Sequence, residues 1–255
     1  MIDLVTLLQY LIILYQLSLL LGFIALFTAK YFLPKFLQYG KTLQPIPSKK
    51  KQELSLLERI SNFTVRKSYF AHFYIISAGF SFINITVFPT YSITWLILFH
   101  SVRRLYETLY ISKYTKDSRM NWSHYAVGIW FYTTLNLLTF HQLYTQRIVP
   151  HTINIFAFLV FSLASWDQYE NHQTLSRLVK YSLPRGRLFK IVACPHYLDE
   201  ILIYLSLLSF SMIFIYPLLW VIVSLSISGI ETKNYYRSKF KPEKTQKYAI
   251  LPYIL

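Results

Sequence analysis

The chain has 255 residues, of which 54% are hydrophobic and only 15% are charged, and its apolar residues come in long blocks that are untypical of a soluble core. Its formal charge of +15 is compatible with a nucleic-acid-binding protein, so the distribution of the basic residues has to decide between that class and a membrane protein. A single cysteine, Cys194, excludes an internal disulfide.

The first apolar block, residues 6–28, has no charged residue and is longer than the roughly 20 residues that a helix needs to cross a bilayer. A cleaved signal peptide is the alternative. However, no basic segment precedes the block, Asp3 stands in front of it, and its apolar run exceeds the usual roughly 7–15 residues. We predict an uncleaved transmembrane helix.

Five further apolar stretches follow along the chain: 69–88, 93–111, 125–143, 153–166 and 197–230. The last stretch is too long for one crossing, because a single helix would overshoot the hydrocarbon by roughly 20 Å. Two spans with a break near 214–217 fit it better. The sequence therefore predicts an all-α integral membrane protein with seven transmembrane helices.

Basic residues alternate between the connections of these spans. The segments 30–68, 112–123, 167–196 and 233–255 contain nine, three, five and six Lys and Arg residues, whereas the N-terminus and the final turn contain none and the segment 144–152 contains only one. This alternation predicts an N-terminus outside the cytosol and a C-terminus inside it. Because membrane topology accounts for most of the positive charge, we do not expect nucleic acid as a partner.

Ionisable residues inside apolar spans are costly and therefore indicate candidate functional sites. In HSVRRLYETLY, residues 100–110, His100, Arg104 and Glu107 recur at i, i+4 and i+7 and share one helix face, and Arg103 also precedes Glu107 by four residues. The pattern is typical of a polar face that lines a cavity. The alternative is an arginine pair that extends toward water beside an intrahelical partner.

A second polar face occurs in CPHYLDEILIY, where His196, Glu200 and Tyr204 recur at i, i+4 and i+8. An imidazole and a carboxylate near a helix N-terminus suit hydrogen bonding to a nucleotide, because exposed N–H groups and the helix dipole favour anions there. The alternative is that Asp199 and Glu200 simply complement the charge of the helix N-terminus.

A third polar group follows the fifth predicted span. Its basic residues Arg177, Lys180, Arg185 and Arg187 have the chemistry to hold a 2'-phosphate or a pyrophosphate, although a solvated loop explains them equally well.

The second span begins with three polar aromatic residues, Tyr69, His72 and Tyr74. Such residues commonly form an interfacial belt. Tyr69 and His72 are also candidate proton donors.

Several motifs follow one another along the chain: KSYFAHFY, HSVRRLYETLY, WDQYENH, LPRGRLF, CPHYLDEILIY and NYYRSKF followed by AILPYIL. In this combination they resemble the polyprenol reductase branch of the steroid 5α-reductase family. The resemblance covers residues 67–255. It implies one polytopic domain over residues 1–255 with a steroid 5α-reductase-like fold of seven helices. It also implies a multi-pass location in the endoplasmic reticulum membrane, with a lumenal N-terminus, and NADPH enclosed by the later helices and cytosolic loops.

The resemblance also implies individual contacts with the cofactor. The residues at family cofactor positions are Gln168, His172, Tyr181, His196, Glu200 and Tyr236. Arg185 is the candidate phosphate contact of the basic segment, and Arg104 matches the arginine of the third span. The basic run that usually precedes the terminal AILP reads EKTQKYAILP here, so that contact rests on Lys247 or is lost. No metal is expected.

The implied function is NADPH-dependent reduction of the α-isoprene double bond of a polyprenoid lipid, formally polyprenol to dolichol, in dolichol biosynthesis for protein glycosylation. Hydride adds readily to a carbon–carbon double bond only when conjugation spreads the negative charge onto oxygen, so we expect the aldehyde polyprenal as the direct substrate and dolichal as the product. The candidate proton donors are Tyr69, His72 and Tyr106, with Arg104 orienting them or the nicotinamide. Glu107 is a further candidate catalytic residue.

Two other functions remain as alternatives to a reductase. One is an isoprenylcysteine-type membrane methyltransferase that uses S-adenosylmethionine, and the other is a non-catalytic lipid transporter or assembly subunit. The second alternative lacks support because no inverted repeat or Gly/Pro-broken helix pair is evident. We expect polyisoprenoid substrate and membrane lipids as partners, and no obligate protein partner.

Overall fold

The computed structural model describes residues 3–38, 43, 55–145, 147–148, 154–179 and 182–255. The α-helices within these ranges are α1 (Leu4–Tyr31), α2 (Leu56–Ser61), α3 (Phe70–Val87), α4 (Ser92–Tyr106), α5 (Trp122–Tyr144), α6 (Ile155–Ser176), α7 (Pro195–Leu207) and α8 (Ile215–Lys239). Two short strands, β1 (Thr64–Arg66) and β2 (Arg119–Asn121), pair antiparallel with Thr64 opposite Asn121. The protein is therefore mostly helical, as predicted.

Three helical segments are long and apolar enough to cross a membrane: Leu4–Tyr31, Lys67–Val87 and Met212–Lys239. Helices also occupy the other predicted spans, but α4 and α7 have only 15 and 13 residues. α5 and α6 are longer and contain buried polar residues such as Asn136 and Gln168. Length and composition of the described helices thus support membrane crossing for three of the seven predicted spans.

One predicted boundary is wrong, and another is displaced by a few residues. α6 does not end at 166 but continues to Ser176, and over this extension Gln168 and Asn171 hydrogen-bond to carboxylates of α7. WDQYENH is consequently helical and not a solvated loop. The break in the last apolar block lies at 208–214, slightly before the predicted position, and the Ser211 side chain accepts a hydrogen bond from the Ile213 amide there.

Polar side chains cap the starts of several helices. The Asp3 carboxylate accepts a hydrogen bond from the Thr6 amide at 2.7 Å at the start of α1, and this bonding to Thr6 lowers the pKa of Asp3. Asn121 and Asn154 cap α5 and α6 in the same way. Such caps satisfy amides that have no partner inside the helix and so define where each helix begins.

The central helices pack in two groups. α3 packs against α4 and α5, and α6 packs against α7, which in turn contacts α8; α1 contacts α8 and α5. The close approach of α3 and α5 depends on Gly128, where an added Cβ would lie 2.5 Å from the Phe73 ring. A side chain at that position would force the two helices apart.

Buried serine and asparagine side chains connect α3, α4 and α5. We refer to them as the serine–asparagine ladder, and its members are Ser77, Ser81, Asn84, Ser101 and Asn136. Asn136 donates to the Ser77 hydroxyl at 3.2 Å and accepts from Ser81 at 2.7 Å, and the hydroxyls of Ser77 and Ser101 lie 2.7 Å apart. Hydrogen bonds between small polar residues are a common means of joining helices in a bilayer.

The segment 246–249, near the C-terminus, packs beside the start of α7. Val192 and Tyr248 form an isolated parallel bridge, and the Cys194 amide donates to the Ala249 carbonyl at 2.9 Å. The Gln246 side chain donates to the backbone carbonyl of Phe189 at 2.8 Å. These contacts fix the turn that precedes α7, and with it the direction in which that helix starts.

Candidate active site

Directly after α4, a fully buried carboxylate lies between two guanidinium groups. Glu107 is 0% exposed and forms ion pairs with both Arg103 and Arg104. Arg104 also donates to the Tyr74 hydroxyl at 2.8 Å, and its guanidinium lies 4.9 Å from the centre of the Tyr74 ring. The predicted shared face of α4 therefore holds its arginines inside the bundle. They do not extend to water.

Glu107 begins a short π-helix, Glu107–Ile111, that continues α4. The Ser112 amide donates to the Glu107 carbonyl at 2.8 Å, five residues back, which is the hydrogen-bond pattern of a π-turn. Such turns insert one extra residue and are frequent at functional sites. This π-turn was not predicted from the sequence.

α6 contributes an amide and an imidazole to the same location. His172 Nδ1 lies 2.6 Å from a Glu107 carboxylate oxygen and 2.8 Å from the Arg104 guanidinium. The Gln168 side chain accepts from Arg103 at 2.7 Å and donates to the Glu200 carboxylate at 2.5 Å. Gln168 thus links the arginines of α4 to α7.

We refer to these joined residues as the charged cluster. Its members are Arg103, Arg104, Glu107, Gln168, His172 and Glu200. Two guanidinium charges face two carboxylate charges, so the cluster is close to electrically balanced when the imidazole is neutral. Balanced, hydrogen-bonded charges are the form in which ionic groups persist in an apolar interior.

The predicted face of α7 also points into this region. Glu200 Oε1 lies 3.5 Å from His100 Nε2, and the His196 ring lies 5.5 Å from the His172 ring, measured between centroids. The Gln168 side chain also donates to the His196 carbonyl at 3.1 Å. The structure therefore brings together the two helix faces that the spacing predicted, Arg104 with Glu107 and His196 with Glu200. It adds Gln168 and His172, which only the family resemblance had indicated.

A second amide of α6 was missed by the sequence analysis. Asn171 donates to the carboxylates of Asp167 at 2.9 Å and Asp199 at 2.8 Å. Its own Oδ1 is buried and has no hydrogen-bond partner among the described residues. The i, i+3 spacing of Gln168 and Asn171 would have indicated a shared face if the helix had been predicted to continue past 166.

The predicted basic contacts lie at the surface. Arg185 and Lys247 are exposed, and the Lys247 ammonium lies 5.5 Å from the Tyr248 ring centre. Arg187 pairs with Asp167 and lies over the Trp166 ring, so its charge is already matched. Tyr236 is buried beside the start of α7, and Tyr181 lies outside the described residues.

The side chains of the three predicted proton donors contact residues outside the charged cluster. Tyr69 is 36% exposed and stacks on His72, and His72 Nδ1 lies 3.0 Å from the Tyr125 hydroxyl on α5. Tyr106 is 48% exposed and packs on Tyr110. Within the described ranges, these three side chains form neither a hydrogen bond nor a ring contact with a member of the cluster.

The chain is similar to a known protein family and to several curated proteins. Residues 123–255 match the family described as 3-oxo-5-alpha-steroid 4-dehydrogenase. The chain is 55% identical to the polyprenal reductase of Saccharomyces cerevisiae, over 98% of this chain and 97% of the yeast protein. It is 27% identical to the polyprenal reductases of Caenorhabditis elegans and Danio rerio, over 88% and 86% of this chain and 87% and 86% of those proteins.

The chain belongs to the steroid 5α-reductase family.

Membership confirms the resemblance inferred from the motifs and makes the protein a reductase of carbon–carbon double bonds. It decides against both alternatives, the methyltransferase and the non-catalytic transporter or assembly subunit. The charged cluster, formed by residues of the recognised motifs, is therefore the candidate active site of this reductase.

Proposed function

We propose that the chain is an NADPH-dependent polyprenal reductase that converts polyprenal to dolichal, formally polyprenol to dolichol, in dolichol biosynthesis for protein glycosylation. The observation that carries this proposal is the 55% identity to the yeast polyprenal reductase over nearly the whole of both chains. The substrate is a polyisoprenoid lipid that stays in the bilayer, so only its polar end has to reach the charged cluster.

We propose the endoplasmic reticulum as the location, with seven spans formed by α1 and α3 to α8. The N-terminus is lumenal and the C-terminus cytosolic in this arrangement. The alternation of basic connections supports it, and so does the burial of polar residues on α4 to α7, which explains why these helices are less apolar than lipid-facing ones. Residues 1–255 form one domain, and residues 67–255 carry the family motifs.

We propose that NADPH binds beside the charged cluster. The described residues fit such a group in two respects: Asn171 has a buried carbonyl oxygen without a donor, and Arg185 and Lys247 are exposed cations. The proposed contacts are Gln168, His172, Tyr181, Arg185, His196, Glu200, Tyr236 and Lys247. The cofactor supplies a hydride when it is bound.

Within the chain, Glu107 fixes the two arginines, and Arg104 in turn holds Tyr74 and His172. These contacts keep the cluster in one arrangement and exclude water from it. Tyr69, His72 and Tyr106 stay predictions for the proton donor, because a donor has to reach the carbonyl oxygen of the substrate and the positions of these side chains do not favour one over another.

The proposal is tested by giving purified full-length protein NADPH together with polyprenal or with polyprenol. We expect oxidation of NADPH and formation of dolichal with the aldehyde alone. Turnover with only the alcohol would overturn the aldehyde as substrate, and inactivity with both would contradict the function.

The cofactor site is tested with Glu200→Ala. We expect NADPH binding, followed by fluorescence, and turnover to be lost in this variant. The matched control is Glu243→Ala, an exposed carboxylate near the C-terminus, which should behave like the unaltered protein. Equal behaviour of the two variants would contradict the placement of the cofactor.

A further inference from the structure

The two-stranded sheet lies where two membrane helices begin. β1 ends at Arg66, four residues before α3 starts at Phe70, and β2 ends at Asn121, directly before α5. Both helices start at the cytosolic face in the proposed topology. The polar headgroup layer of a bilayer is about 5–7 Å thick on each side, so a sheet this close to two helix starts lies at the level of the cytosolic headgroups.

Two arginines occupy directly opposite positions of this sheet, Arg66 on β1 and Arg119 on β2. In the next pair, the Lys67 amide donates to the Ser118 carbonyl at 2.9 Å, and hydrogen-bonded pairs alternate with non-hydrogen-bonded pairs along an antiparallel ladder. Arg66 and Arg119 are therefore a non-hydrogen-bonded pair, in which opposing side chains come closest, with Cβ atoms about 4.5–5.5 Å apart. Like charges at such positions repel each other and destabilise the sheet.

The two arginine side chains point away from the helical bundle. Side chains alternate between the two faces of a strand, and the adjacent pair, Val65 and Met120, packs against the core, where Met120 is 0% exposed. Arg66 and Arg119 therefore project from the outer face, and both are exposed. Within the described part of the chain, neither arginine forms an ion pair or a side-chain hydrogen bond. Their repulsion is thus not offset by a described carboxylate.

The surroundings of the arginines favour an anion. Arg66 and Arg119 precede the starts of α3 and α5, and neither of these two helices has an acidic residue in its first turn. A helix N-terminus carries a partial positive charge, so cations placed there leave a surplus of positive charge. Asp117 is exposed two residues before Arg119, but among the described ion pairs it is joined to neither arginine. The sheet therefore presents a positively charged surface to the headgroup layer.

Exposed apolar side chains beside β1 indicate that the anion comes from the membrane. Leu57 and Ile60 of α2 and Phe63, one residue before β1, are 55%, 43% and 60% exposed. The Trp122 indole donates to the Ile60 carbonyl at 2.9 Å and so holds α2 against the start of α5. Basic side chains next to exposed apolar and aromatic ones are typical of segments that lie in the membrane interface. A soluble phosphate ligand would leave these apolar side chains in water.

We propose that Arg66 and Arg119 form a binding site for the phosphate group of an anionic phospholipid in the cytosolic leaflet. A guanidinium donates two parallel hydrogen bonds to phosphate oxygens, and a phosphodiester between the two side chains places a negative charge where they repel each other. Anionic phospholipids give the cytosolic leaflet its negative surface potential. The inference goes beyond the reductase reaction and uses only the proposed topology.

Lipid binding is tested with purified full-length protein in detergent by following the thermal midpoint during titration with phosphatidylglycerol. A ligand that binds the folded state raises the midpoint, so we expect a rise beyond that given by phosphatidylcholine. In the double variant Arg66→Gln with Arg119→Gln, the apparent affinity for phosphatidylglycerol should fall by about 10-fold or more. The matched control is Lys241→Gln with Lys244→Gln, which removes the same charge from two exposed residues and should keep the affinity of the unaltered protein.

The same variants provide a test of the repulsion between the arginines. In phosphatidylcholine alone, the double arginine variant should be at least as stable as the unaltered protein, because it removes two like charges that face each other. A much lower midpoint there would contradict the unpaired state of the arginines.

Three other results would overturn the lipid site. The first is equal affinity for phosphatidylglycerol in the double arginine variant and the unaltered protein, or an equal loss in the lysine control. The second is stabilisation by inorganic phosphate as strong as that by phosphatidylglycerol, which would identify a soluble ligand. The third is a loss of NADPH affinity in the double arginine variant, which would make the arginines contacts of the cofactor.

Discussion

The charged cluster and the serine–asparagine ladder are two buried polar regions of one helical bundle. They differ in charge and in how completely their polar atoms are hydrogen-bonded. Asn136 and its serine neighbours are neutral and bond mainly to one another or to helix backbone. The cluster instead holds guanidinium and carboxylate charges, and beside it the buried Asn171 Oδ1 has no hydrogen-bond partner within the described part of the chain.

This difference separates a structural polar network from a functional one. A neutral network whose donors and acceptors bond to one another joins helices. It has no hydrogen-bonding group left for a ligand. A charged network with unused donors and acceptors at its border costs stability unless something binds there. We therefore assign the ladder to helix packing and the cluster to binding and catalysis, and three substitutions test that assignment.

The largest effect is expected for Glu107→Gln, which removes the charge between Arg103 and Arg104. Two buried guanidinium groups would then have lost their shared counter-charge, and breaking a buried ion pair in this way typically costs about 3–5 kcal/mol. We expect a much lower thermal midpoint in detergent and loss of turnover. The control is Glu170→Gln, whose half-exposed carboxylate lies 3.7 Å from Arg187. Similar small changes in both variants would show that the cluster does not depend on its charge balance.

A smaller effect is expected for Asn136→Ala, which removes the central member of the ladder. Polar contacts between membrane helices average about 0.6 kcal/mol each, so the loss of several should lower stability by roughly 1–2 kcal/mol. Turnover per folded molecule and NADPH affinity should stay nearly unchanged, because the ladder only joins helices. A large loss of kcat at an unchanged thermal midpoint would place Asn136 in the reaction and remove the distinction between the two regions.

The smallest effect is expected for Lys30→Met, which removes the ion pair between α1 and α8. The side chains of Lys30 and Glu231 are 25% and 38% exposed, and partly exposed pairs contribute about 0–1 kcal/mol. We expect a shift in the thermal midpoint near the error of measurement, and normal turnover. A loss comparable to that of Glu107→Gln would mean that exposure does not decide the strength of ion pairs in this bundle.

Much of the fold was predictable because the length of an apolar block and the residues that start or end a helix are local signals. The blocks 6–28 and 69–88 appear in the structure as α1 and α3 with small changes at their ends. The end of α6 was missed because the prediction followed hydrophobicity, whereas Asp167, Gln168 and Asn171 remain helical through contacts with α7 and the segment before it. Those tertiary contacts have no local signal.

The candidate site was predictable where its residues share one helix face. The i, i+4 and i+7 spacing of His100, Arg104 and Glu107 and the i+4 spacing of His196 and Glu200 indicated two faces that the structure brings together. The choice of proton donor could not be made in this way. Whether Tyr106 or Tyr204 is shielded from water depends on which face of each helix packs on its neighbours. Which helices are neighbours cannot be read from the sequence alone.

The pairing of Val192 and Cys194 with Tyr248 and Ala249 has a consequence for biogenesis. The ribosome releases the turn before α7 more than fifty residues ahead of the segment that fixes it, and α8 has to enter the membrane in between. The nascent reductase therefore passes through a stage in which every membrane helix has been synthesised but the start of α7 is still unsupported. The backbone hydrogen bonds that hold the start of α7 can form only after translation has passed Ala249.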